Sequence, residues 1–182
     1  RSYGSPAARA LYCSVDPDAH PRLDREPAYD LSYLGTYSPD RQPTLERLLL
    51  EPARRAPDLR FAVAGPQYPG DIAWPANVVR IDHLPPERHA DFYASSRYAL
   101  NVTRGDMIRA GWSPSVRLFE AGSIGTPLIS DRWDGLGDIL APGREILCAD
   151  TADDVLAVLR GQSEAERRRV AAAARAAILS RH

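Results

Sequence analysis

The sequence predicts an α/β protein with a Rossmann-like, doubly wound parallel sheet, and three observations support this fold class. Short apolar segments rich in β-branched and aromatic residues alternate along the chain with longer segments of helical periodicity. The apolar segments lack a polar face, which is typical of parallel strands covered on both sides. At 182 residues, the chain is long enough for one domain with a substantial core.

The predicted elements follow one another from about residue 30 to the end of the chain. The predicted strands are Leu31–Thr36, Arg60–Gly65, Val78–Leu84, Tyr98–Thr103, Pro127–Ser130 and Glu145–Ala149. The predicted helices are Pro43–Ala56, with a break near Pro52, Pro86–Ser96, Pro114–Ile124, Thr151–Arg160 and Ser163–Ser180. The last two helices open on T-x-x-D and S-x-x-E capping signatures. Ligands of such a sheet bind at the carboxyl ends of its strands.

The domain organisation predicted from composition is simple. Residues 1–29 are rich in Pro, Asp and Arg and are interpreted as a lead-in segment that packs on the domain formed by residues 30–182. The one methionine is Met107 and the chain starts at Arg1, so we expect it to be part of a longer protein.

Charge and composition exclude several function classes. The net charge of −1 gives no overall field that favours a nucleic acid or an anionic membrane, and no apolar run is long enough for a membrane span. All 23 basic residues are arginine, so a Walker-type phosphate loop, a Schiff-base enzyme and a phospho-receiver domain are not expected. Neither the two cysteines nor the four histidines show metal-ligand spacing, and we expect neither a metal nor a cofactor, in a cytoplasmic protein.

The segment around residues 113–131 carries the strongest functional signal. Ser113 followed by Pro114 predicts a helix N-cap and first helical residue, which places the amides of Ser115 and Val116 at the open, positive end of the helix. Such an end can hold a diphosphate. Arg117 and Glu120 share one face of this helix, where they form either an i,i+3 salt bridge or part of a ligand site.

This segment resembles the donor-binding half of GT-B glycosyltransferases. The similarity rests on Arg-Leu-Phe-Glu-Ala from Arg117, Gly-Thr-Pro-Leu-Ile-Ser-Asp from Gly125 and Asp-Gly-Leu from Asp134, and it extends from about residue 30 to residue 160. The sequence is most similar to the CgeB-like branch, which is related to the retaining, family-4-type enzymes. The resemblance implies the C-terminal half of a GT-B fold, in a hexosyltransferase-type enzyme that uses a nucleotide diphosphate-sugar without a metal.

The resemblance also implies roles for individual residues. Glu120 matches the second glutamate of the E-x7-E motif of the family, which holds the ribose hydroxyls of the donor. Ser115 and Val116 match the helix-start amides that bind the diphosphate, and Arg41 matches a basic residue that neutralises it. Arg117 matches the arginine that the CgeB-like branch places before its Phe-Glu. His83 and Leu84 lie where the family contacts the base through backbone atoms.

Two alternative functions remain open at the level of sequence. The position of the first motif glutamate is occupied by Trp112, which favours a non-catalytic CgeB-like module with a structural or maturation role. A domain like a UDP-sugar epimerase would have the same fold and would need acids and histidine in the cleft. In the glycosyltransferase interpretation, the acceptor and most catalytic groups come from a missing N-terminal Rossmann-like half, so the fragment is expected to be inactive alone.

Overall fold

The computed structural model describes residues 4, 6–7, 11–110 and 114–182, without the side chain of Ala110. Six strands form one sheet in the order β3-β2-β1-β4-β5-β6, and every strand pair is parallel. The strands are β1 (Tyr29–Leu34), β2 (Phe61–Ala64), β3 (Val78–Ile81), β4 (Ser96–Asn101), β5 (Leu128–Ser130) and β6 (Leu147–Cys148). This order confirms the predicted doubly wound α/β fold.

Helices cover both faces of the sheet. They are α1 (Gln42–Leu45), α2 (Glu51–Arg55), α3 (His89–Ala94), α4 (Gly105–Ala110), α5 (Val116–Ile124), α6 (Leu136–Ile139), α7 (Ala152–Gly161) and α8 (Glu164–Arg181). Residues of α1, α2 and α7 pack on one face of the sheet, and residues of α3, α5 and α6 pack on the other. The long helix α8 contributes to both cores.

The two faces of the sheet differ in side-chain size. In β2, Phe61 and Val63 point to the face of α1 and α7, whereas Ala62 and Ala64 point to the face of α5, and all four residues are fully buried. The alanine face leaves room for α5 to approach the strands closely. The start of α5 is therefore held close to the carboxyl ends of the central strands.

Several predicted boundaries are wrong by a few residues. The strands β1 (Tyr29–Leu34) and β4 (Ser96–Asn101) each begin and end two residues earlier than predicted. The strand β6 is reduced to Leu147–Cys148. Both capping signatures are confirmed, since Thr151 and Ser163 form reciprocal capping boxes with Asp154 and Glu166.

The predicted break near Pro52 takes the form of a π-helical turn that interrupts the α-helix just before the proline. The turn, Glu46–Leu50, joins α1 to α2, and the N–H of Glu51 bonds to the carbonyl of Glu46, five residues earlier. Pro52, which has no N–H to donate, is the second residue of α2. The helical stretch 42–55 therefore continues past the proline.

The lead-in segment contacts the domain where the structure describes it. Tyr12, Val15 and Leu23 pack against the core on the α5 face, and Arg25 forms an ion pair with Asp91 at 2.7 Å. Within the described ranges, no helix combines the length and the apolar character that a membrane crossing requires.

Candidate functional site at the carboxyl edge of the sheet

The helix α5 begins two residues later than predicted. Its N-cap is Ser115, whose hydroxyl accepts the N–H of Arg117 at 3.3 Å, and Val116 is the first helical residue. Ser115 has the extended backbone that an N-cap requires, with φ −68° and ψ 141°. The predicted cap Ser113 lies outside the described residues, as does Trp112. The amides of Ser115 and Val116 still lie at the positive end of α5, as the sequence predicts.

Arg117 is buried behind this helix end, with 5% of its surface exposed. Its Nε donates to the carbonyl of Leu34 at 2.8 Å, and Nη2 also donates to that oxygen. Nη1 donates to Asn101 Oδ1 at 3.0 Å and, more weakly, to Ser115 Oγ at 3.4 Å. The guanidinium also lies 4.6 Å from the centre of the Tyr33 ring. The alternative of an i,i+3 salt bridge with Glu120 is therefore wrong, because the donors of Arg117 are directed to β1, β4 and the cap.

A buried polar network continues from Arg117 across the sheet. Asn101 Nδ2 donates to Ser130 Oγ at 2.9 Å and to Thr103 Oγ1 at 3.2 Å. Thr103 in turn donates its N–H and its hydroxyl to Asp131, at 3.1 and 2.9 Å. Burial raises the pKa of Asp131, although the hydrogen bonds from Thr103 partly oppose this effect. The network fixes the carboxyl ends of β4 and β5 relative to the start of α5.

Arg41 has an unfilled hydrogen-bonding position beside this network. Its Nη2 donates to the carbonyl of Thr36, but its buried Nε has no acceptor among the described residues. Burial lowers the pKa of Arg41, and repulsion from Arg117 and Arg104 lowers it further. In the described part of the chain, none of these three arginines forms an ion pair with a carboxylate within 4.0 Å. Arg41 is thus repelled by two other guanidinium groups, and the nearby carboxylate of Asp40 forms no ion pair with it within 4.0 Å.

Glu120 is partly exposed, one turn into α5 from Val116. Its carboxylate forms neither a hydrogen bond nor an ion pair with any residue that the structure describes. The backbone carbonyl of Glu120 accepts the hydroxyl of Ser123 at 2.9 Å, which is ordinary within a helix. The carboxylate is therefore available to a ligand beside the start of α5.

His83 and Leu84 follow β3, at the outer edge of the sheet. His83 is exposed, and the carbonyl of Leu84 accepts from His89 Nε2 at 3.2 Å. Two inter-strand spacings separate β3 from β1, which corresponds to about 10 Å. His83 and Leu84 therefore lie at the same carboxyl edge of the sheet as Arg41, beside the outermost strand.

Two glycines bring the loops after β1 and β2 into direct contact. Gly65 has φ +135°, and a Cβ there would lie 2.2 Å from the carbonyl oxygen of Gly35. A Cβ on Gly35 would lie 2.6 Å from Tyr33 Oη and 2.8 Å from Arg117 Nη2. A side chain at either position would displace the loop after β1 from the buried Arg117.

Sequence reasoning missed several residues that shape the site. Residues 105–110, for which the sequence predicts no helix, form α4, whose Gly105 N–H donates to Asp40 Oδ2 at 2.9 Å. Gln42, at the start of α1, also has a buried Oε1 without a partner among the described residues. Tyr68 donates its hydroxyl to the carbonyl of Gly35 at 3.1 Å. The only sequence signal for these residues is their position in loops that follow predicted strands.

Comparison with known families and structures identifies the domain. The sequence profile described as glycosyl transferase-like matches residues 41–182. The chain belongs to this glycosyl transferase-like family. No curated protein matches the chain.

Solved glycosyltransferase structures share the fold of this glycosyl transferase-like domain. AviGT4, a glycosyltransferase involved in avilamycin A biosynthesis, is 21% identical, with a TM-score of 0.65, over 98% of this chain and 57% of that one. A mutant of T4 phage BGT in complex with UDP-glucose is 12% identical, with a TM-score of 0.72, over 87% of this chain and 45% of that one. The C-terminal domain of the group 1 glycosyl transferase LpcC from Francisella tularensis is 13% identical, with a TM-score of 0.66, over 92% of this chain and 98% of that domain. The chain thus spans about half the length of AviGT4 and BGT and nearly all of the LpcC domain.

Proposed function

We propose that this domain binds the nucleotide diphosphate-sugar donor of a glycosyltransferase at the carboxyl edge of its sheet. The family and the fold support a transferase, and the structural neighbour BGT binds UDP-glucose. The observation that carries the proposal is the buried, unpartnered Nε of Arg41, close enough to Arg104 and Arg117 for their charges to lower its pKa. Three arginines that form no ion pair among the described residues are suited to an anionic ligand.

In this proposal, the diphosphate lies between the start of α5 and Arg41. The amides of Ser115 and Val116 and the helix dipole stabilise its negative charge from one side. Arg41 donates its free Nε from the other side. Arg104 lies in the segment that follows β4. Arg117 adds its charge from behind, while its hydrogen bonds keep β1 and α5 in place.

The ribose and the base extend away from the diphosphate. Glu120 lies one turn into α5 from Val116, and its free carboxylate accepts hydrogen bonds from the ribose hydroxyls in our proposal. The base extends toward β3 and contacts the backbone of His83. The carbonyl of Leu84 already accepts from His89, so Leu84 is proposed to contact the base through its other atoms.

Transfer itself is proposed to require the parent protein. The arginines and helix amides stabilise charge on the leaving diphosphate as its bond to the sugar, a hexose, breaks. This mechanism uses no metal and retains the configuration of the sugar. A separate N-terminal half is proposed to supply the acceptor and the remaining catalytic groups, so the domain alone binds the donor without transferring the sugar.

Calorimetric titration of this chain with UDP, GDP, ADP and TDP, each with and without Mg²⁺, tests the proposal. We expect saturable binding of one nucleotide in the absence of metal, which also identifies the base. If none of the four binds to this chain, the proposal that the isolated domain holds the donor is wrong. The same titration on the parent protein, with an assay for sugar transfer, distinguishes an enzyme from a non-catalytic module that binds but does not transfer.

A further inference from the structure

A cavity in the described part of the chain lies at the edge of the sheet opposite to the proposed donor site. Its volume is about 580 Å³, within the range of small-molecule sites. Its walls are the amino ends of β4 and β5, the first turns of α8 and the lead-in segment 22–27. Because the strands are parallel, the length of β4, about 20 Å, separates this cavity from the carboxyl edge.

The cavity offers two cationic groups that form no ion pair within the described residues. Six arginines line it, and four of them are held in ion pairs with acids: Arg25, Arg97, Arg167 and Arg168. Arg22 has no ion pair or hydrogen bond within the described residues. Arg175 donates its Nε to the carbonyl of Ser123 at 2.8 Å and leaves both Nη groups available. Arg22 on the lead-in segment and Arg175 on α8 thus both line the cavity without a carboxylate partner among the described residues.

The same cavity is lined by carboxylates that can accept hydrogen bonds and by apolar side chains. Asp24 and Glu26 lie beside Arg22 on the lead-in segment, and neither forms an ion pair or hydrogen bond with a described residue. Apolar side chains complete the lining: Leu23, Pro27, Ala94, Ile124, Ala171 and Ala172. Inorganic phosphate would leave most of this volume empty and both carboxylates without donors. A ligand with a phosphate at one end and hydroxyl groups at the other satisfies both sets of groups.

We propose that this cavity binds a phosphorylated sugar, with its phosphate on Arg22 and Arg175 and its hydroxyl groups on Asp24 and Glu26. Arginine suits the phosphate because its planar fork donates two parallel hydrogen bonds. Binding would join the lead-in segment to α8 and to the amino ends of the central strands. The site is independent of the donor site, since the two share no residue.

The test is a calorimetric titration of the full chain with glucose 6-phosphate, compared with glucose and with inorganic phosphate. We expect saturable binding of glucose 6-phosphate and at least about tenfold weaker binding of the other two, because each supplies half of the interactions. Saturating UDP should not displace the sugar phosphate. No saturation by about 10 mM, or displacement by UDP, would overturn the proposal.

Two variants locate the site and one controls for charge. Arg22→Gln and Arg175→Gln should each weaken binding by about tenfold, since each removes a charge-assisted contact to phosphate. Arg169→Gln makes the same charge change on the exposed surface of α8, outside the cavity, and should leave binding unchanged. Equal losses in all three variants would show a nonspecific charge effect and contradict the site. Arg22 forms no hydrogen bond or ion pair with a described residue, so its variant remains informative if Arg175→Gln unfolds the chain.

Discussion

The guanidinium of Arg117 donates to Asn101 Oδ1 at 3.0 Å, and both residues are buried where β1, β4 and α5 meet. Asn101 also donates to Ser130 and Thr103, so this single contact joins a cationic side chain to the ends of two strands. The positive charge of Arg117, which is proposed to stabilise the diphosphate, thus lies in the interior of the protein. Its position depends on hydrogen bonds to neutral groups, because no carboxylate pairs with it among the described residues.

The first prediction is an energetic coupling between Arg117 and Asn101. Asn101→Ala leaves Nη1 of a buried guanidinium without its acceptor and should lower the free energy of unfolding by about 2 kcal/mol. Arg117→Met, combined with Asn101→Ala in a double-mutant cycle, should give a coupling energy of about 1–2 kcal/mol in urea denaturation. Additive losses would show that the contact contributes nothing of its own.

The second prediction concerns the contact between the loops after β1 and β2. Gly65→Ala should lower the free energy of unfolding by at least about 2 kcal/mol, because φ is +135° and the new Cβ would overlap the carbonyl of Gly35. The matched control is Gly70→Ala, in the same loop, where a Cβ meets nothing within 4 Å. Its effect should stay within about 1 kcal/mol in the same denaturant assay. Similar losses in both variants would contradict a specific contact at Gly65.

The third prediction tests Glu120 as the ribose-binding group. Glu120→Ala should weaken the binding of the preferred nucleotide by about 1–3 kcal/mol, because charged hydrogen bonds to the ribose hydroxyls are lost. Glu87→Ala removes an exposed acid from the 3₁₀ turn Pro86–Arg88 and serves as the charge control, with no expected change. Unchanged affinity in a folded Glu120→Ala protein, measured by calorimetry, would exclude Glu120 from the site.

The outcome of the sequence reasoning differs between the fold and the site. The strand segments could be predicted because fully buried parallel strands, such as Phe61–Ala64, are continuous apolar runs. Helices of four to six residues, such as Leu136–Ile139 and Gly105–Ala110, are too short to show helical periodicity. The predicted start of α5 is wrong by two residues because Ser113 and Ser115 both precede the apolar run, and the sequence does not decide which one caps the helix.

The side-chain network was beyond sequence reasoning for a different reason. Spacing places Arg117 and Glu120 on one helix face but gives no information about the groups across from them. The partners of Arg117, Leu34 and Asn101, are 83 and 16 residues away in sequence and become neighbours only in the folded sheet. The roles assigned to the seven predicted site residues stay predictions until a nucleotide is titrated.

The fourth prediction separates the phosphate from the nucleoside. Arg41→Gln should weaken binding of the nucleoside diphosphate by about tenfold and leave binding of the nucleoside unchanged, since its free Nε is proposed to contact only the diphosphate. The salt dependence of diphosphate binding should also decrease in the variant. Arg47→Gln, an exposed position in the same helical stretch, is the matched control. Equal losses for diphosphate and nucleoside would contradict a phosphate role for Arg41.

The fifth prediction is a pH-dependent contribution from Glu164 at the start of α8. Hydrogen bonds from Arg167, together with those from Arg168, lower the pKa of Glu164 to about 2. Because the folded pKa is lower than the unfolded value of 4.5, ionised Glu164 stabilises the fold above pH 4.5 and loses this effect as the pH falls toward 2.

Glu164→Gln should therefore lower the free energy of unfolding at pH 7, but by less than about 1 kcal/mol, because half of the Glu164 side chain is exposed and solvent screens the pair. The difference between wild type and variant should shrink as the pH falls from 4.5 toward 2, and it should also shrink in high salt. Urea denaturation of both proteins at pH 7 and pH 3 measures it. A difference that is the same at both pH values would show that the glutamate acts through packing or helix propensity rather than through its charge.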